Sequence, residues 1–170
     1  DADNLSDLEK EENENEENEV KKEDLYSERN EQQYHERKKM LSAGVLEAEK
    51  AVMEEIIDYK KLNKIESYEF FEIKKDLIDG QIQNIQNLII SENLTLEGYK
   101  ENCKSQLNYE NKLLEFLNND KKVTEKENNI IKDRINKRIE ILKSEIEQEV
   151  PEEDEDANEE EENENENKEK

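Results

Sequence analysis

The segment FFEIKKDLIDGQIQNIQNLII, residues 70–90, is the most apolar stretch of the chain. Its regularly spaced isoleucines, separated by four, three and four residues, are Ile78, Ile82, Ile85 and Ile89. This spacing places the side chains on one side of a helix. Phe71 lies one heptad before Ile78 and extends the same stripe. The pattern predicts an amphipathic helix over about residues 68–91 at the centre of any core.

The segment before it, residues 25–62, also has helical spacing, because Val45, Val52 and Tyr59 are each seven residues apart. Its first half, SERNEQQYHERKK, is nearly all polar. We expect that half to be either a solvent-facing extension or a frayed end. Gly44 is unfavourable inside a helix by about 1 kcal/mol relative to alanine, so it marks a candidate break.

Two more helices are predicted, over about residues 95–118 and 124–150. Thr95 is a suitable N-cap for the first of them. Thr124, followed three residues later by Glu127, has the spacing of a capping box. Apolar positions continue along both segments, including Leu107, Leu114, Ile135 and Leu142.

Only three glycines and one proline occur in 170 residues. These residue types form most tight turns, and a sandwich or barrel would need more of them. We therefore predict an all-α fold. Because the links between helices are short, neighbouring helices should be antiparallel, as in helical hairpins or a bundle. An elongated coiled coil is the alternative.

The formal net charge of −24 is concentrated at the two ends. Residues 1–24 carry 12 acidic and 3 basic side chains, and residues 151–170 carry 12 and 2. Such a composition cannot bury enough apolar surface to offset the entropy lost on ordering. We predict disordered acidic ends around a folded helical module at residues 25–150.

The apolar stripes are narrow, so a closed bundle of these helices would be only marginally stable. This shortfall favours self-association or a protein partner. The residues predicted to form the core or the partner contact are Phe71, Ile78, Ile82, Ile85, Ile89, Leu107, Leu114, Ile135 and Leu142.

The residues needed for common catalytic and cofactor sites are scarce. His35 is the only histidine and Cys103 the only cysteine, which is too few for a zinc cluster. Cys103 falls on an apolar stripe, where cysteine behaves as a small core residue. No phosphate-binding glycine motif is present. We therefore expect no cofactor, no metal site and no enzymatic activity.

The charge also restricts the partners. A chain of net charge −24 repels nucleic acid, and no apolar run approaches the 18 residues of a membrane span. The one basic cluster is interpreted as a solvated helix face, with binding of an acidic segment such as the chain's own tail as the alternative. It comprises Lys132, Arg134, Lys137, Arg138 and Lys143. A single cysteine rules out an internal disulfide, which favours an intracellular compartment, although secretion is compatible with the sequence too.

These observations lead to three functional hypotheses. The first is a helical protein–protein interaction module that serves as a scaffold, adaptor or subunit of a larger assembly. The second is an acidic chaperone or decoy whose glutamate-rich ends bind a basic protein client. The third is a stalk or assembly contact of a secreted or surface protein.

Overall fold

The computed structural model describes residues 21–119 and 124–148, which form six helices and no strand. The helices are α1 (Lys22–Leu25), α2 (Glu28–Glu36), α3 (Ala43–Leu62), α4 (Glu69–Ile90), α5 (Leu96–Asn119) and α6 (Glu125–Glu147). The predicted all-α fold is confirmed. Of the acidic segments 1–24 and 151–170, predicted to be disordered, residues 1–20 and 151–170 lie outside the described residues, whereas residues 22–24 belong to helix α1.

Helices α3 and α4 form a first antiparallel hairpin. Lys50 Nζ lies 2.9 Å from Asp79 Oδ1, and Lys75 Nζ lies 3.4 Å from Glu54 Oε1, so the partner positions run in opposite directions. The core of this hairpin is entirely hydrocarbon and thioether: Leu46, Met53, Ile56 and Ile57 from α3 with Phe71, Ile78 and Ile82 from α4.

Helices α5 and α6 form a second antiparallel hairpin. Glu110 pairs with Arg138, and about two helical turns further along the pair Cys103 Sγ lies 3.3 Å from Glu145 Oε2. The predicted capping box begins α6, since Thr124 and Glu127 each accept a hydrogen bond from the other's backbone N–H. The buried apolar residues of this half are Tyr34, Val45, Cys103, Leu117, Ile130, Ile131, Ile135, Ile139 and Leu142.

The two hairpins meet where α6 packs against α3, and α2 also packs on α6. Tyr34 of α2 lies among Leu117, Ile131, Ile135 and Ile139, and Val45 of α3 lies against Cys103 and Leu142. The buried side chains of α4 belong to the first cluster only, with those of α3. The stripe of α4 therefore faces α3, and the stripes of α5 and α6 face each other.

The predicted single helix over residues 25–62 is wrong, because the chain is not helical from residue 37 to residue 42. Side chains of the second hairpin hold this connection. Gln106 Oε1 accepts hydrogen bonds from the backbone N–H of Leu41 and of Ser42 at 2.7 and 3.0 Å. Tyr109 Oη donates to the carbonyl of Arg37 at 2.7 Å. Because its polar backbone groups are satisfied in this way, an extended segment can be packed inside the fold.

Gly44 lies just inside α3 and is not the point of the break. Ser42 is the N-cap of α3 and accepts a hydrogen bond from the N–H of Val45 at 3.1 Å. A Cβ atom on Gly44 would overlap Glu145 Oε1 and lie 3.2 Å from Ile141 Cγ2. The glycine is needed because α6 approaches the backbone of α3 closely here.

The polar segment SERNEQQYHERKK is neither a frayed end nor a solvent-facing extension. Ser27 caps α2 by accepting from the N–H of Asn30, and three residues of α2 are buried: Asn30, Glu31 and Tyr34. Its polarity does not mark exposure, because its buried carboxylate and phenol find ionic and hydrogen-bonding partners on α3 and α6.

Candidate functional site: the outer face of α4 and a buried ion network

The nine residues predicted to form the core or the partner contact lie in the interior or at its edge. Five are buried: Phe71, Ile78, Ile82, Ile135 and Leu142. Four are half-buried: Ile85, Ile89, Leu107 and Leu114. Most of this surface is therefore covered by the chain's own helices.

Helix α4 carries a second apolar stripe on the side opposite its buried one. Ile73 is 60% exposed and Leu77 is 58% exposed. A helix turns about 100° per residue, which places Gly80, Asn84 and the half-buried Leu88 on the same side. We call these five residues the outer face of α4.

Charge is distributed unevenly along α4. Its first half carries Glu69, Glu72, Lys74, Lys75, Asp76 and Asp79, whereas residues 80–91 contain no charged side chain at all. In a chain in which 45% of residues are charged, the second half of α4 is therefore an unusually neutral surface.

The second site is a network of charged side chains buried between α2, α3, α5 and α6. Arg138 is only 2% exposed and pairs with the fully buried Glu110. Its guanidinium also donates to Tyr34 Oη and to the carbonyl of Lys39, both at 2.9 Å. A single arginine thus joins α2, α5, α6 and the extended connection.

Arg134, one turn earlier on α6, makes the corresponding contacts with α2 and α3. It pairs with Glu31 and with Glu49 Oε2 at 2.6 Å. Its guanidinium carbon lies 3.9 Å from the ring centroid of Tyr34, a cation–π distance. Tyr34 Oη in turn donates to Glu49 Oε1 at 2.7 Å.

Burial and these partners act in opposite directions on the pKa values. Burial raises the pKa of Glu49, but the nearby Arg134 charge and the hydrogen bond from Tyr34 outweigh it, so the pKa lies below its usual value. Burial lowers the pKa of Lys38 to about 8 and lowers that of His35. The network therefore keeps this carboxylate ionised and makes the two neighbouring bases easier to neutralise.

A cavity of about 300 Å³ lies beside the network and is lined by residues from α1, α3 and α6. Glu49 and Arg134 line it but already pair with each other, and Glu55, also in its wall, accepts a hydrogen bond from Tyr26. These three charged groups are therefore already engaged with other side chains.

Cys103 and Glu145 form a smaller polar contact between α5 and α6. Glu145 Oε2 accepts hydrogen bonds from Ser42 Oγ at 2.9 Å and Tyr99 Oη at 2.6 Å, and lies 3.3 Å from Cys103 Sγ. Burial, reinforced by Glu145, raises the pKa of the thiol to about 12. A thiol in that state is a poor nucleophile, and Cys103 is a buried core residue, as expected.

The basic cluster on α6 was interpreted as a solvated face, and for its arginines this is wrong. Arg134 and Arg138 are the members that form the buried ion pairs, while Lys137 and Lys143 are exposed. The signal in the sequence is the position of Arg138, which lies within the apolar spacing of Ile131, Ile135 and Leu142. Nothing in the sequence identified the partners Glu31, Tyr34, Glu49 and Glu110.

Within residues 21–119 and 124–148, no group of three or more histidine, cysteine or acidic side chains is arranged to hold a metal ion. None of the described helices is both long and apolar enough to cross a membrane. No family model, curated protein or solved structure matches the chain.

Proposed function

We propose that this chain is a non-enzymatic helical protein–protein interaction module, a subunit or scaffold that binds its partner through the outer face of α4. The observation that carries the proposal is the exposure of Ile73 and Leu77, at 60% and 58%, on a helix whose opposite side packs against α3. The stripe of Ile78 and Ile82 is occupied by α3, whereas Ile73 and Leu77 on the outer face remain free to contact a partner.

The geometry of this face suits another helix. Ile73 and Leu77 are one turn apart and Leu88 is three turns further along, which gives the row of apolar anchors used when helices pack on one another. Between them, no heavy atom lies within 4 Å of the position of a Cβ on Gly80. That gap provides a place for a side chain of the partner.

The pairing of charges within the ion network also supports this interpretation. Its arginines and several of its carboxylates are engaged with one another, which suits a joint between segments better than an acid–base pair open to substrate. We assign it a structural role, in which it holds α2 and the extended connection against the two hairpins.

The test is site-specific photo-crosslinking in an extract of the cells that produce the protein. A photoreactive phenylalanine analogue is placed at position 77 and, as a matched control, at position 116, because Phe116 of α5 is equally exposed at 58%. We expect a discrete adduct from position 77 only. Adding Ile73→Gln to the chain that carries the photoreactive residue should weaken the adduct, because it removes the other exposed apolar anchor of this face.

The proposal fails if position 77 gives no adduct or the same adducts as position 116. Deletion of residues 1–20 and 149–170 should leave the position-77 adduct unchanged. If that deletion abolished the adduct, the acidic ends would carry the binding, as the chaperone hypothesis requires.

A further inference from the structure

We infer that the partner of the outer face of α4 is a second copy of this chain, packed antiparallel about a two-fold axis that passes near Gly80. This inference depends on the proposed function and specifies its partner. Its support comes from the charge distribution, the space above Gly80 and the register of the apolar residues.

The charge distribution makes α4 complementary to itself in one orientation. Its first half contains four acidic and two basic residues, and residues 80–91 contain none. An antiparallel pair places the charged half of each copy against the neutral half of the other, so like charges are kept apart. A parallel pair would place the two net-negative halves side by side. Antiparallel helix dipoles also attract each other.

Gly80 lies near the middle of this face and has no packing role within its own chain. A Cβ there would meet no heavy atom within 4 Å, although glycine is among the least favourable residues inside a helix. Gly44, by contrast, is enclosed by Glu145 and Ile141. At a two-fold axis, the missing side chain of Gly80 allows the backbones of two α4 helices to approach each other closely.

The position of the two-fold axis determines which residues of the two α4 helices face each other. A two-fold axis between residues 80 and 81 of antiparallel helices brings Ile73 of one copy opposite Leu88 of the other, and Leu77 opposite Asn84. Each apolar anchor of the first half thus reaches the neutral second half of the other copy. One helix pair is smaller than a standard interface of about 800 Å² per partner, so we expect dimerisation in the micromolar range that depends on concentration.

Sedimentation equilibrium on the full chain, from about 1 to 200 μM, measures the association. We expect a reversible dimer of the 20.3 kDa chain. Leu77→Gln and Ile73→Gln should each weaken the dimer by about tenfold or more, which corresponds to the removal of an exposed apolar anchor. Phe116→Gln, a change of equal exposure on α5, should leave it unchanged.

Gly80→Ala distinguishes an effect on dimerisation from an effect on the stability of the fold. In the monomer, alanine should raise the melting temperature by about 2–4 °C, because it favours the helix and meets no neighbour. In the dimer, the added methyl group should hold the two backbones apart and weaken association. A change that stabilises the monomer and destabilises the dimer cannot be explained by unfolding.

Cysteine crosslinking tests the orientation. Gln81→Cys lies next to the axis and should form a disulfide between the two copies. Asn84→Cys should not, because in the antiparallel pair the two copies of this residue are separated by about 10 Å along the helices. Efficient crosslinking through Asn84→Cys would indicate a parallel pair and overturn the proposed register.

A chain that stays monomeric up to 200 μM, or a dimer that Leu77→Gln leaves intact, overturns the inference. The position-77 crosslink distinguishes this failure from failure of the proposed function. An adduct with a different protein preserves the interaction module and excludes the second copy as its partner; no specific adduct at position 77, together with a monomeric chain, contradicts both.

Discussion

The contacts that stabilise the first hairpin differ in kind from those around α6. Between α3 and α4 the core is a continuous apolar cluster, and the ion pairs lie at its surface. Around α6, three buried carboxylates pair with the buried Arg138 and the half-buried Arg134. Apolar burial stabilises without selecting a direction, whereas each buried ion pair needs one particular partner. We infer that apolar contacts form the hairpin, whereas buried ion pairs determine where distant segments of the chain dock.

Ile82→Asp should produce the largest effect on stability, because it disrupts the apolar core of the first hairpin. Ile82 is buried against α3, and an unpaired carboxylate in such a core costs several kcal/mol, comparable to the whole stability of a small domain. We expect loss of the helical circular dichroism signal and of the cooperative melt. Gln83→Asp, a neighbouring exposed position, is the control and should fold normally. Retention of the wild-type melt by Ile82→Asp would contradict the assigned packing of the first hairpin.

Arg138→Ala disrupts the buried ion network around α6. It leaves Glu110 buried without its partner, which should reduce the free energy of unfolding by about 3–5 kcal/mol. Urea denaturation followed by circular dichroism measures the change. Lys137→Ala, an exposed neighbour, should stay within about 0.5 kcal/mol of the parent.

A double variant sharpens this result. Arg138→Met combined with Glu110→Leu removes both charges and keeps similar volumes, so it should recover most of the stability lost in Arg138→Ala. A double variant no more stable than the single one would mean that the other contacts of Arg138, to Tyr34 and to the carbonyl of Lys39, contribute most of its effect.

Acid should weaken the half that contains the ion network. In the folded chain the pKa of His35 is lowered from 6.5 and that of Glu49 from 4.5. As the pH falls, each of these groups is therefore protonated at a higher pH in the unfolded chain than in the folded chain. The free energy of unfolding should therefore fall as the pH drops below about 6.5, and again below about 4.5. Urea midpoints from pH 7.5 to 3.5 measure this. His35→Gln should flatten the upper step and Glu49→Gln the lower; midpoints independent of pH would contradict both assignments.

Lys75→Gln should produce the smallest effect. The pair Lys75–Glu54 spans the surface of the first hairpin, and both side chains are more than one-third exposed. Such pairs contribute up to about 1 kcal/mol, so urea denaturation should detect a loss below that value. A loss comparable with that of Arg138→Ala would remove the distinction between surface and buried ion pairs.

The sequence predicts the hairpins better than their docking, for a physical reason. Helical spacing reports which side of a helix is apolar, and it identified Phe71, Ile78 and Ile82 as one stripe. Capping chemistry is local as well, which is why Thr124 and Glu127 were recognised as the start of α6.

Contacts between distant segments leave no such periodic trace. The partners Glu31 and Arg134 are 103 residues apart, and each looks like an ordinary surface residue in its own neighbourhood. The extended connection at residues 37–42 was missed for the same reason, because the group that satisfies its backbone, Gln106, belongs to another helix.

The separation of these contacts along the chain also implies an order of folding in time. Lys50 and Asp79 are 29 residues apart, so the first hairpin closes a short loop, and short loops close quickly. Glu49 and Arg134 are 85 residues apart and meet only after both hairpins exist. We therefore expect refolding in which helix content is gained early and the near-ultraviolet signal of Tyr34 develops last, when α2 docks onto α6.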